Sequence, residues 1–204
     1  EDIAWLKQVA VRHNEIVCQA ARRSPLLPLR LGTLFRSRAS LLAAAARCLE
    51  TVADFLQALG DRQEWAVKLY LERTAVEETA GLARALTPHH APPASAGTEY
   101  LLRKKAQLQD QRGLQARLQE EIQALEQALR TQADRCCWVR PLPASLTGRR
   151  EKMVFNGTVL LPPPQVETWL DTVWRIRDAL RGKGLLLEVS GPWPPYHFCP
   201  ALEL

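Results

Sequence analysis

MVFNGTVLLP occupies residues 153–162. Both of its alternating faces are apolar: Met153, Phe155, Val159 and Leu161 on one, Val154 and Leu160 on the other. A strand with one wet face alternates cleanly, so this run reads as a central strand covered on both sides. A helix follows, opened at its first turn by Pro163 or Pro164 and stopped by Gly182. Its inward stripe is Val166, Trp169, Leu170, Val173, Ile176 and Leu180. GLLLEVS, residues 184–190, is a further strand, and CWVRPLP, residues 137–143, is a short one stopped by proline. LTGRREK between them reads as a polar turn.

Upstream lies a long helix over residues 99–135, on the order of 50 Å at the usual rise per residue. Leu114, Leu118, Ile122, Leu125 and Leu129 form its narrow stripe, and Gly113 is its weak point. The polar remainder implies that part of it projects from the body or packs as a coiled coil, which makes it a candidate for self-association. This half therefore reads helix–strand–strand–helix–strand, a ferredoxin-like split βαβ with one strand unaccounted for.

The first 71 residues read helix–strand–helix–strand. Residues 3–23 form an amphipathic helix with Leu6, Val9, Ala10, His13, Ile16, Val17 and Ala20 on one face. LLPLRLG is read as an edge strand, since Pro28 cannot donate a ladder bond. Ser37 or Ser40 caps a second helix with the stripe Leu42, Ala45, Leu49, Val52, Leu56 and Leu59. EWAVKLYL alternates, with Trp65, Val67, Leu69 and Leu71 on one face and Glu64, Ala66, Lys68 and Tyr70 on the other. Two strands are a poor platform for two helices. Either strands precede Glu1, leaving this sheet incomplete, or these strands pair elsewhere in the chain. The sequence begins EDIAWLKQ without an initiator Met, which is read as processing or a longer product. The expected class is α+β, mostly antiparallel, with a unit at 1–86, a Pro/Ala-rich linker at 87–97 and a unit at 98–204.

Composition is that of an ordinary globular chain, with 47% hydrophobic and 24% charged residues, and no apolar run long enough to span a membrane. A net charge of +5 is mild and is read as too evenly spread for nucleic acid. Cys18, Cys48, Cys136, Cys137 and Cys199 sit at no metal-ligand spacing and read as reduced thiols. Nucleotide-loop, GxSxG and HExxH patterns are absent. His89 and His90 read as loop residues, and His13 as a hydrogen-bonded core histidine. Arg30 and Lys68, with Glu64, form either an anion site or a surface charge cluster; the second reading is preferred. No cofactor or metal is expected.

GPWPPYHF, residues 191–198, follows the last strand. Its prolines rule out a central strand, so it is expected to leave the sheet as a stiff segment. Trp193, Tyr196 and Phe198 then either plug against a helix or grip an apolar partner. The first reading is preferred, because burying apolar surface stabilises by roughly 25 cal/mol per Å².

Three stretches taken together, PLRLGTLF (28–35), EWAVKLYL (64–71) and GPWPPYHF, with His13 before them and MVFNGTVLL between, resemble the gas vesicle accessory proteins of the GvpL/GvpF family. The resemblance runs from about Trp5 to Phe198. It implies a cytoplasmic, non-enzymatic factor at the gas vesicle that contacts the shell protein and other accessory proteins, with no catalytic residues. Signature or contact residues would be Leu29, Arg30, Gly32, Trp65, Lys68, Gly191, Pro192, Trp193, Pro194, Pro195, Tyr196 and Phe198. The alternatives are a ferredoxin-like small-molecule binder or enzyme, and a coiled-coil adaptor.

Overall fold

The computed structural model describes residues 3–72 and 96–202. The elements in chain order are α1 (Ile3–Ala21), α2 (Arg38–Arg47), α3 (Leu49–Leu59), β1 (Gln63–Leu71), α4 (Ala96–Gln132), β2 (Arg135–Trp138), α5 (Ala144–Thr147), β3 (Lys152–Leu161), α6 (Pro163–Arg181) and β4 (Leu185–Trp193). The strands form one four-stranded sheet in the order β2-β3-β1-β4, antiparallel throughout.

Among the described residues the elements from β1 onward run β-α-β-β-α-β, apart from the short α5, and this is the split βαβ arrangement. The strand that the C-terminal half lacks is β1. It pairs with β3 on one side, Val67 opposite Gly157, and with β4 on the other, Val67 opposite Val189. Of the two ways to complete the sheet, pairing within the chain is the one observed for EWAVKLYL. The expected units at 1–86 and 98–204 thus share a sheet. The remainder of the expected linker, residues 87–95 with His89 and His90, lies outside the described residues.

β3 is a central strand, as its apolar pattern requires. Val159 and Leu161 on one face and Leu160 on the other are all buried to within 1%. The main core lies between the sheet and the helices α4 and α6. It joins Val67, Leu69, Phe155, Val159, Leu185 and Leu187 to Leu125 and Leu129 of α4 and to Trp169, Val173 and Leu180 of α6. Trp65, Leu71, Leu118 and Ile122 pack around it. The α4 stripe therefore joins the core from Leu118 onward. Arg62 fastens the turn before β1 to the α4–β2 turn, its Nε 2.6 Å from Asp134 Oδ2. Lys183 after α6 pairs with Glu121 of α4.

A smaller core lies on the opposite face. Phe55 and Leu59 of α3 meet Leu160 and Phe198 there, with Leu27, Leu56, Cys137 and Cys199 around them.

Three expectations are corrected. LLPLRLG is not a strand: residues 25–30 are irregular and Leu31–Gly32 is a turn. Pro25 and Pro28 remove two donors, and both edges of β1 are already taken. Pro28 is buried instead, and Gly32 takes φ +87°. Second, the single helix expected after Ser37 is two helices, broken at Cys48, whose φ and ψ are −99° and 7°. The buried positions are Ala44, Cys48, Phe55 and Leu59, while Leu42 and Leu49 are 58% and 68% exposed. Third, β4 does not stop before Pro192 but runs to Trp193. It is an edge strand, where a missing N–H costs no ladder bond. A bulge between Glu64 and Ala66 lets Trp193 pair with Glu64.

Candidate functional site

The C-terminal octapeptide is built into the fold through Glu64. This carboxylate is 2% exposed at the start of β1. Oε2 accepts the backbone N–H of His197 at 3.0 Å, and Oε1 lies 2.6 Å from His197 Nδ1. The carboxylate raises the His197 pKa above its ordinary 6.5; desolvation opposes the shift without cancelling it. Next to it, the Tyr196 hydroxyl donates to Asn14 Oδ1 of α1 at 3.0 Å, and burial raises the Tyr196 pKa. Phe198 is 5% exposed in the smaller core, with the Arg135 guanidinium 5.3 Å above its ring. Tight turns set these directions: Tyr196 N–H donates to Pro194 O at 2.7 Å and Phe198 N–H to Pro195 O at 3.2 Å. Pro194 and Pro195 are buried. The segment is thus a strap that ties β1, α1 and the α3 core together.

At its start the strap packs against Trp65. A Cβ on Gly191 would lie 2.9 Å from the Trp65 ring, and φ there is +151°. Trp65 in turn stands 5.9 Å from Trp169 of α6. Trp193 remains 37% exposed, with Nε1 donating to Ser190 Oγ at 3.1 Å. Pro192 is exposed beside it.

The structure therefore sets Gly191 against Trp65, Tyr196 on Asn14 of α1, and Phe198 in the smaller core, with Pro194 and Pro195 buried. Leu29, Arg30 and Gly32 stand apart in the irregular segment, where Thr33 donates to the Arg30 carbonyl through N–H and Oγ1. Lys68 is half-buried on the sheet, in register with Asn156 and Glu188. The cluster of Arg30, Lys68 and Glu64 does not form, because Arg30 is not on a strand and Glu64 is committed to His197. His13 is half-buried, and among the described residues its side chain makes no hydrogen bond. Asn14, Glu64 and His197 anchor the strap, a role that the spacing did not point to. Glu64 was singled out only beside Arg30 and Lys68, and His197 only by its place inside the octapeptide.

Chemically the strap holds rather than reacts. Burial pushes the Cys199 thiol up to about 11, and its Sγ donates to Pro195 O at 2.9 Å, so it is poorly nucleophilic near neutral pH. Among the described residues no three His, Cys, Asp or Glu side chains are grouped to hold a metal ion, and no helix is long and apolar enough to cross a membrane. Two open grooves stand out among the described residues. One, of about 560 Å³, is lined by Arg140–Ala144, Arg150, Lys152 and Met153. The other, of about 390 Å³, lies beside α2 between Thr33 and Arg47. Both are cationic and apolar, and neither has the paired acid and base that general acid–base catalysis uses.

Comparison with known proteins gives a consistent picture. The chain is 28% identical over 207 aligned positions to gas vesicle protein L of Streptomyces sp. (strain CB03234), covering all of this chain and 73% of that protein. It is 24% identical to gas vesicle protein F of the same strain, covering 97% of this chain and 80% of the other. Its fold matches the crystal structure of GvpF from Anabaena sp. PCC7120 with a TM-score of 0.70 at 20% identity, over 96% of this chain and 76% of that one. It matches GvpF from Microcystis aeruginosa with a TM-score of 0.60 at 19% identity, over 92% and 74%. The family model described as gas vesicle synthesis protein GvpL/GvpF matches residues 1–200, and the chain belongs to that family, whose role in gas vesicle assembly is accessory and non-catalytic.

Proposed function

We propose that this protein binds the apolar gas vesicle shell protein in the cytoplasm and holds it soluble, or seeds its ordered addition, while the vesicle forms. A wall that faces gas needs subunits with large apolar surfaces, and such surfaces associate in water before assembly. The observation that carries the reading is where this chain leaves its own apolar side chains uncovered. Of the thirteen large hydrophobic residues exposed among the described residues, nine lie between Trp5 and Leu49. Leu6, Ile16, Leu34, Leu42 and Leu49 are each more than half exposed. The N-terminal layer of α1, α2 and α3 is therefore the contact surface proposed here. Pro192 and Trp193 at the edge of β4 offer a second, smaller contact.

The test is co-expression with the shell protein. Leu34→Glu with Leu42→Glu is expected to reduce co-purification and leave more shell protein in the pellet. Trp193→Ala is expected to weaken binding less. If all three substitutions leave solubility and co-purification unchanged while circular dichroism shows an intact fold, the reading is wrong.

A further inference from the structure

Charge is distributed unevenly along the N-terminal layer. Between Glu15 and Glu50 the charged side chains are Arg22, Arg23, Arg30, Arg36, Arg38 and Arg47, with no acidic residue and no lysine among them. All six are exposed. Some arginines elsewhere meet carboxylates, as Arg62 meets Asp134 and Arg149 meets Glu151. Among the described residues none of these six does.

Two of them share one groove. Arg36 lies just before α2 and Arg47 in its last turn, and the space between is lined by Leu34, Phe35, Ala43 and Ala44. Leu34 is 91% exposed. We propose that this groove docks an acidic amphipathic helix of a partner protein, with carboxylates meeting Arg36 and Arg47 and apolar side chains meeting Leu34 and the floor between them.

Three features favour that occupant. Guanidinium forks match carboxylates bidentately, which a lysine surface would not do. The ten residues of α2 span about 15 Å, the distance between side chains two to three turns apart on a helix. A concave apolar floor fits a ridge of side chains, whereas a bilayer presents a plane and a nucleic acid backbone has nothing apolar to set against Leu34. The proposal builds on the reading of this protein as a binder of other chains, and it specifies the chemistry of the partner.

The probe is a fluorescein-labelled helical peptide of about 14 residues, Leu-rich on one face with glutamates two turns apart, titrated into the full chain. A second peptide carries Gln in place of each Glu. The Glu peptide is expected to bind at least about tenfold tighter. The advantage is expected to vanish in Arg36→Gln with Arg47→Gln, and to shrink as salt rises from about 0.05 to 0.5 M. Amide shifts on titration are expected to centre on Leu34, Ala43 and Ala44. Equal binding of the two peptides, an advantage that survives the double substitution, or displacement of the peptide by phosphatidylglycerol vesicles or duplex DNA would each overturn the proposal. Failure here alongside intact co-purification with the shell protein would remove the groove and leave the assembly reading standing.

Discussion

At the scale of single residues, the pairing of Glu64 with His197 shows how a polar pair can organise an otherwise apolar junction. A buried carboxylate is expensive unless its oxygens are bonded, and here both are. The bond to the carboxylate raises the His197 pKa, so the folded chain holds that proton more tightly than the unfolded one. The resulting stabilisation is complete below about pH 6.5, the unfolded value. It is lost as pH rises through the raised folded value. Glu64→Gln keeps an acceptor for the backbone N–H but removes the charge. It is expected to cost about 1 kcal/mol, low in the range for charged hydrogen bonds because the imidazole is 41% exposed. The His197 titration followed by NMR should move back down toward its ordinary value. The stability gap between parent and variant in urea should be widest near pH 6 and narrow at higher pH; a gap independent of pH over that range would show that the pair does not act through charge. This pair was hidden in the sequence. An acidic residue opening a strand usually points to solvent, and nothing local says that a histidine 133 positions later will cover it.

At the scale of elements, legibility followed the strength of local signals. β3 was readable because a short run apolar on both alternating faces fits little besides a strand covered on both sides, and α6 because its proline start, glycine stop and stripe agree. The stripe from Val166 to Leu180 is the one the core uses. The segment from Leu27 to Gly32 misled because leucine alternation mimics a strand, whereas Pro25 and Pro28 remove donors and both edges of β1 are already taken. The break at Cys48 was missed because alanine-rich sequence favours an unbroken helix. Tertiary packing decides there, placing Ala44, Cys48, Phe55 and Leu59 inward. The Ser37 cap, by contrast, was legible. Ser37 Oγ accepts Ser40 N–H at 3.2 Å, and Ser40 Oγ accepts Ser37 N–H at 3.0 Å, a reciprocal capping box. Ser37→Ala is expected to destabilise by about 1 kcal/mol. Because α2 packs lightly, the effect should appear first as faster amide exchange across residues 41–44, with β3 unchanged. Equal acceleration in the sheet would mean that α2 is cooperative with the whole core.

At the scale of the whole molecule, the decisive fact is that β1 stands between β3 and β4. The C-terminal half could be recognised as a split βαβ lacking a strand, yet its missing member lay beyond a Pro/Ala-rich stretch that reads as a boundary. Local composition carries no information about which strands pair across such a stretch, so the partition of the sequence and the partition of the sheet differ. The difference has a direct consequence. Among the described residues, without β1, β4 loses its only neighbour in the sheet and β3 keeps only the four-residue β2. The core loses Val67 and Leu69, both fully buried, and Glu64 is no longer present to fasten His197. Isolated short pairings of that kind are marginal in water. A fragment of residues 98–204 is therefore expected to lack a cooperative urea transition and dispersed amide resonances by itself. Mixed with a fragment of residues 1–86, it should regain both, because the β1 ladders and the strap contacts can form between two chains. A fragment of residues 98–204 that folds alone, with β4 protected from hydrogen exchange, would show that the sheet does not depend on its inserted central strand.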